Sequence, residues 1–242
     1  MPSASKTLVI SGTSRGIGAA IAKSFVKQGW QVLGASRSAA LPEDLGPNYL
    51  HFSGDLSQID IAKQFINFCH KNSAHGYFDL LVNNAAIAGE TPWGSQSFSQ
   101  WQNIINTNLN SCYYLCEYSL PYLKNHLSRI INIGSVLSHK AVPEQSAYTA
   151  AKHGLLGLTR SLALELARRD ITVNCICPGW TRTEMMHQRR HELHKSEDEL
   201  LFDVPLGRFI EPDEIAEMCH FLCSAAAKNI TGQSLNICGG VS

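Results

Sequence analysis

Short apolar runs alternate with longer amphipathic stretches along this chain. Thr7–Ile10, Gln31–Ala35, Tyr49–Phe52, Asp79–Val82, Arg129–Ile133, Ile171–Ile176 and Ser234–Ile237 read as strands. Helical periodicity runs from about Ile17 to Lys27, Ile59 to His70, Ser99 to Leu123, Tyr148 to Arg169 and Pro212 to Cys223. Strand–helix alternation at this spacing requires a parallel sheet with helices on both faces. Right-handed crossovers make that sheet doubly wound, which predicts an α/β fold with seven strands. Ligands in such sheets bind beyond the carboxyl ends of the strands, where the strand order reverses. The chemically suggestive residues of this chain follow strands one, four, five and six.

No repeat, low-complexity tract or linker interrupts the alternation. A length of 242 residues suits one large domain over residues 1–242. Hydrophobic residues at 44% and charged residues at 17% fit a globular protein and argue against disorder. With 20 basic and 20 acidic residues, the balance gives no nucleic-acid footprint. It leaves little charge repulsion between copies. No segment reaches about 18 uninterrupted apolar residues, and the first apolar run is too short for a signal-peptide core. The expectation is a cytoplasmic protein with no membrane or nucleic-acid partner. The eight cysteines match no zinc spacing and read as small buried side chains, so no metal is expected.

After the first strand comes Ser11-Gly12-Thr13-Ser14-Arg15-Gly16-Ile17-Gly18. Glycines let the backbone turn tightly against a pyrophosphate, and the helix that follows offers free amides and a partial positive charge. The second strand leads into Ser36-Arg37, where an NAD-binding chain would carry Asp or Glu for the ribose 2′-hydroxyl. A guanidinium here can pair with a 2′-phosphate, with Arg15 approaching from the glycine turn; the bland alternative is two solvated arginines. NADP(H) is the expected cofactor. Asp55-Leu56 either bonds an adenine or closes a turn. Asn83-Asn84-Ala85 either ties neighbouring strands and contacts a ribose or forms a turn.

The fifth strand leads into Ser135, and the next helix carries Tyr148 and Lys152. Residues four apart share one helix face. A phenol titrates near 10, and an ammonium beside it favours the phenolate. Such a pair can move a proton to or from a carbonyl oxygen near neutral pH. Ser135 can hold that oxygen, and Asn108 can anchor a water leading from Lys152 to solvent.

Together these residues resemble the short-chain dehydrogenase/reductase family over about Lys6 to Gly240. The resemblance implies a Rossmann-type single domain. It implies a catalytic tetrad of Asn108, Ser135, Tyr148 and Lys152. It also implies that Tyr148 and Lys152 contact the cofactor, along with Pro178, Gly179, Thr181 and Thr183. Ser11, Ala86 and Cys238 depart from the usual Thr, Gly and Asp. Within the family, Arg129–Ser135 and Val204–Arg208 look like 3-oxoacyl-[acyl-carrier-protein] reductases, and the Cys238-Gly239-Gly240 end looks like polyketide ketoreductases. In such relatives arginines matching Arg129 and Arg169 dock an acyl carrier protein. Cations at a helix end also suit the helix dipole with no partner.

Residues 180–205 form the one long segment that the sheet does not need, and relatives use it as a substrate lid. Trp180 and Met185, with Leu137, Ser135 and Tyr148, are the expected substrate contacts. His187, His191 and His194 recur at helical spacing there, in a pattern that suits a polar helix face better than zinc. The reading favours a reductase of a carbonyl substrate, with an acyl carrier protein or CoA thioester as carrier. A sugar, polyol or other secondary-alcohol dehydrogenase is the alternative, and a nucleotide-binding regulator without turnover is a third. By analogy with relatives, a homotetramer or homodimer is expected.

Overall fold

The computed structural model describes residues 6–38, 45–94, 98–125 and 128–241. Seven strands build one parallel sheet: β1 Thr7–Ser11, β2 Gln31–Ser36, β3 Tyr49–Ser53, β4 Leu80–Asn83, β5 Arg129–Ile133, β6 Thr172–Pro178 and β7 Ser234–Ile237. Their spatial order is β3-β2-β1-β4-β5-β6-β7, so the order reverses between β1 and β4. The helices are α1 Gly16–Lys27, α2 Ile59–Asn72, α3 Phe98–Ile105, α4 Ser111–Ser119, α5 Ser146–Leu166, α6 Glu184–Glu192, α7 Glu197–Phe202 and α8 Pro212–Leu222.

Strand alternation sorts the core into two layers. Leu8, Ile10, Val32, Tyr49, Leu80, Val82 and Ile131 face α1 and α8, where Ile21, Phe25, Ile215 and Cys219 meet them. Val9, Leu33, Ala35, Leu81, Ile130 and Val173 face α2, α4 and α5, against Phe65, Leu115 and Ala163. The strands β1, β4, β5 and β6 are buried throughout, as both-face coverage demands, while the edge strands β3 and β7 are partly open.

The long helix expected from Ser99 to Leu123 is broken. A π-helical turn at Asn106–Asn110 separates α3 from α4, and a 3₁₀ turn at Leu120–Tyr122 carries Pro121. The helix expected from Tyr148 to Arg169 begins at Ser146 and passes into a 3₁₀ turn at Ala167–Arg169. The segment after β6 folds as α6 and α7. Met186, Leu200 and Phe209 form a small core there, with Trp180, Leu193 and Leu201 packed on it. His187 and His191 lie in α6, but His194 lies beyond it with φ of 53°. The three histidines therefore do not share one helix face. Among the described residues, no group of three or more His, Cys, Asp or Glu is placed to hold a metal ion. No helix of the described residues is long and apolar enough to cross a membrane. All eight cysteines are free, and seven are buried.

Candidate active site

The strand reversal brings the ends of β1 and β4 together. Ser11 Oγ accepts from the main-chain amides of Asn84 and Ala85, both at 3.0 Å. Asn84 Nδ2 donates to the carbonyls of Ser11 and Gly12, again at 3.0 Å. Asn83 turns the other way and donates to Asn132 Oδ1 of β5 at 2.8 Å. The adjacent asparagines therefore tie β4 to both neighbours. The hydroxyl that Ser11 shares with the usual Thr is the group that this tie uses.

The glycine turn leaves no room for side chains. Gly12 and Gly16 have φ of 76° and 57°, in the left-handed region that glycine enters at little cost. A Cβ on Gly18 would stand 2.1 Å from the Gly12 carbonyl oxygen, and one on Gly16 would stand 3.2 Å from Thr183 Cγ2. The turn thus lies under the segment that follows β6. Arg15 precedes α1 in extended backbone, no side chain caps the helix, and its first turn holds no acid. Amides at that end have no internal anion, which suits a pyrophosphate. Arg15 and Arg37 are both exposed, and Ser36, the last residue of β2, is buried. Asp55 Oδ1 accepts from Ser57 N at 3.1 Å, closing the turn before α2, and Leu56 is buried.

Beyond β6, Gly179 donates to the Ile237 carbonyl at 2.8 Å, and a Cβ there would lie 2.9 Å from Cys238 Cα. Thr181 Oγ1 donates to the Gly179 carbonyl at 3.1 Å. Thr183 caps α6: its hydroxyl donates to the Thr181 carbonyl and accepts from Met186 N. Pro178 ends β6, so these residues stand at one edge of the crevice that the glycine turn opens.

Across the crevice, Ser135 and Ser138 cap one another. Ser135 Oγ accepts from Leu137 N at 3.1 Å, and Ser138 Oγ accepts from Ser135 N at 3.2 Å. Lys152 is buried in α5 and its Nζ donates to the Ile133 carbonyl at 2.7 Å. The ammonium lies 5.6 Å from the centre of the Tyr148 ring. One turn of α5, the end of β5 and the Ser135 turn are thereby locked together.

Asn108 turns its side chain to the loop after β4. Its side chain is committed to Ile87, donating to the carbonyl and accepting from the amide, both at 2.8 Å. Its main-chain carbonyl accepts from Cys112 Sγ at 3.6 Å. The π-helical turn around it fits the association of such bulges with functional sites. Met185 is 37% exposed on α6, while Trp180 and Leu137 are half-buried. The arginines considered for carrier docking also make bonds within the chain. Arg129 is buried and donates to the Ser128 carbonyl, and Arg169 donates to Asn125, Leu120 and Leu123.

Thr91 escaped the sequence reading. It sits in the loop after β4, yet its hydroxyl accepts from Ala147 N at 3.2 Å and its carbonyl accepts from Ser146 Oγ at 3.0 Å. It is the cap of the helix that carries Tyr148. No local pattern announces a cap contributed from 55 residues away.

A doubly wound sheet with a glycine turn at the strand reversal, a serine turn after β5 and a Tyr–Lys pair on the following helix defines a nucleotide-binding oxidoreductase. A family model described as enoyl-(acyl carrier protein) reductase matches residues 12–242. A 3-oxoacyl-[acyl-carrier-protein] reductase of Chlamydia trachomatis is 37% identical, covering 98% of this chain and 97% of its own length. One from Vibrio harveyi is 36% identical with the same coverage. Among solved structures, an actinorhodin polyketide ketoreductase with NADPH superposes with a TM-score of 0.92 at 30% identity, covering 98% of this chain and 97% of that one. The aldohexose dehydrogenase of Thermoplasma acidophilum gives 0.89 at 32%, with 98% and 94% covered. The chain belongs to the short-chain dehydrogenase/reductase family. It is an oxidoreductase of CH–OH and C=O groups with a nicotinamide cofactor.

Proposed function

We propose that this chain is an NADPH-dependent reductase of a ketone, first of all a 3-oxoacyl thioester, with Tyr148 as proton donor. The observation that carries this reading is the bond from Lys152 Nζ to the Ile133 carbonyl. It fixes a cation beside Tyr148 at the strand end that leads into Ser135. A bound nicotinamide supplies the hydride. Ser135 orients the substrate oxygen, and Tyr148 gives its phenolic proton to that oxygen as charge develops on it. The Lys152 ammonium stabilises the phenolate left behind. Asn108 acts through Ile87, holding the loop that borders the cleft.

The glycine turn Gly12–Gly18, with Ser14, Ile17, Asn84, Ala85, Pro178, Gly179, Thr181 and Thr183, surrounds the crevice proposed for the dinucleotide. Arg37 and Arg15 are exposed at the end of β2 and beside the turn, and Ser36 and Arg37 stand where an Asp or Glu would meet a 2′-hydroxyl. This supports NADP(H) over NAD(H). The curated relatives favour a thioester substrate. Residues 180–205 serve as the substrate lid, with Met185 and Trp180 as its apolar contacts. The likeness to the aldohexose dehydrogenase keeps a sugar dehydrogenase as the second reading.

The test follows absorbance at the nicotinamide band with acetoacetyl-CoA, an acetoacetyl-carrier-protein thioester, simple ketones and, with NADP⁺, aldohexoses. Thioester-dependent NADPH oxidation that Tyr148→Phe abolishes is the expected result. Turnover only on sugars selects the second reading. NADPH binding without turnover on any of them overturns both in favour of a regulator.

A further inference from the structure

A chain of hydrogen bonds runs under the end of β2, where the 2′-phosphate reading places its arginine. Thr13 Oγ1, in the glycine turn, lies 2.7 Å from the Tyr49 hydroxyl. That hydroxyl lies 2.8 Å from His51 Nδ1. On the other side of the ring, His51 Nε2 lies 3.1 Å from the Ser38 carbonyl and 3.3 Å from Ser36 Oγ. Ser36 Oγ itself donates to the Ser38 carbonyl at 2.8 Å.

The directions of these bonds follow from their end. A carbonyl only accepts, so His51 Nε2 carries the proton toward Ser38. In the neutral ring Nδ1 then accepts from Tyr49, and Tyr49 accepts from Thr13. Burial holds the His51 ring below its ordinary titration range, which keeps it in this neutral form. The geometry also depends on Gly34. A Cβ at Gly34 would stand 2.5 Å from the Tyr49 hydroxyl and 2.9 Å from Thr13 Cγ2. The missing side chain is the gap through which the hydroxyl reaches the glycine turn.

We infer that His51 is a positioning residue for cofactor choice: by anchoring Ser36 and Ser38 on either side of Arg37, it aims that guanidinium at an adenosine 2′-phosphate. This rests on the NADP(H) reading above and goes beyond it. Arg37 is exposed, and an exposed arginine that is not anchored loses side-chain and loop freedom when it binds a phosphate. The bonds at Ser36 and Ser38 remove part of that loss before the ligand arrives. They also couple Arg37 to the glycine turn through Tyr49 and Thr13.

The experiment measures binding to the free protein, by fluorescence for NADPH and NADH and by calorimetry for 2′,5′-ADP and 5′-AMP. His51→Leu should cut the NADPH-over-NADH affinity ratio by about tenfold, the scale of one lost hydrogen bond, with NADH affinity within about twofold of wild type. His51→Gln, whose amide can donate to Ser38, should restore part of the ratio. Tyr49→Phe, which keeps the ring, should shift it in the same direction by less. Equal losses for both cofactors, or an unchanged ratio, overturn the inference while leaving the NADP(H) reading intact. A wild-type protein that binds NADH as tightly as NADPH overturns that reading and this inference with it.

Discussion

Lys152 Nζ donates to the Ile133 carbonyl at 2.7 Å from a buried position in α5. A buried ammonium is expensive unless it is hydrogen-bonded, so this bond allows the cation to remain beside Tyr148. Lys152→Met keeps the bulk, removes the charge and leaves the Ile133 carbonyl without its donor. Turnover should fall by roughly 10²–10⁴, with a melting temperature close to that of wild type, because loss of the bond and loss of the buried charge act in opposite senses. Steady-state rates and thermal denaturation together check this. Wild-type kcat in the variant would remove Lys152 from the mechanism.

Gly18 faces the Gly12 carbonyl so closely that a methyl group would sit 2.1 Å from its oxygen and 2.4 Å from Asn84 Nδ2. The first of these atoms is backbone and cannot rotate away. Gly18→Ala should therefore cost about 1–3 kcal/mol, as overpacking does, at roughly 2–4 °C of melting temperature per kcal/mol for a chain of this size. It should also weaken NADPH binding at least as much as it weakens the fold, since the same turn forms the proposed phosphate site. A variant with wild-type melting temperature and cofactor affinity would contradict the close approach.

The strands were legible in the sequence because β1, β4, β5 and β6 are buried on both faces and read as apolar runs. Helix ends and breaks were less so. The turn at Asn106–Asn110 shifts the helical register by a residue without changing residue types, so periodicity carries α3 and α4 through as one helix. Asn108 is named in the sequence reading, but its bonds to Ile87 join residues that only the fold brings near. His51 gave no signal either. Its meaning depends on the register that sets it opposite Gly34 and on a tyrosine that reads in sequence as one more strand residue. Local pattern encodes local structure, whereas the bonds of Asn108 to Ile87 and of His51 to Ser36 and Ser38 join separate elements.

Arg189 of α6 bonds Glu90 Oε1 at 2.6 Å and Glu192 Oε2 at 2.9 Å, with its side chain only 13% exposed. Glu90 adjoins Thr91, which caps α5. The ion pair latches α6, part of the proposed lid, to the loop that positions the Tyr148 helix. If residues 180–205 act as the proposed lid, Arg189→Met should loosen it, raising KM by about fivefold to tenfold with a smaller change in kcat. Glu90→Gln should do the same more weakly, since a hydrogen bond survives. Substrate titrations at saturating NADPH decide the matter, and unchanged KM in both variants would rule out a latch.

His220 stacks on Phe25 at 3.9 Å between ring centres and lies within 2.9 Å of Ser24 Oγ. Burial lowers its pKa from 6.5, with Glu217 on the same helix pulling weakly the other way. In the unfolded chain the ring takes up its proton near its ordinary value, before the folded chain does. Protons therefore favour unfolding in this window: the contribution to stability is fully present above about pH 6.5 and is lost as pH falls through the lower folded value. His51 is shifted in the same direction by burial, so it adds to the slope. Melting temperature should fall as pH drops from about 7.5 to 5, and His220→Gln should flatten part of that fall. An identical slope in wild type and variant would show that the ring beside Phe25 is not the group that titrates.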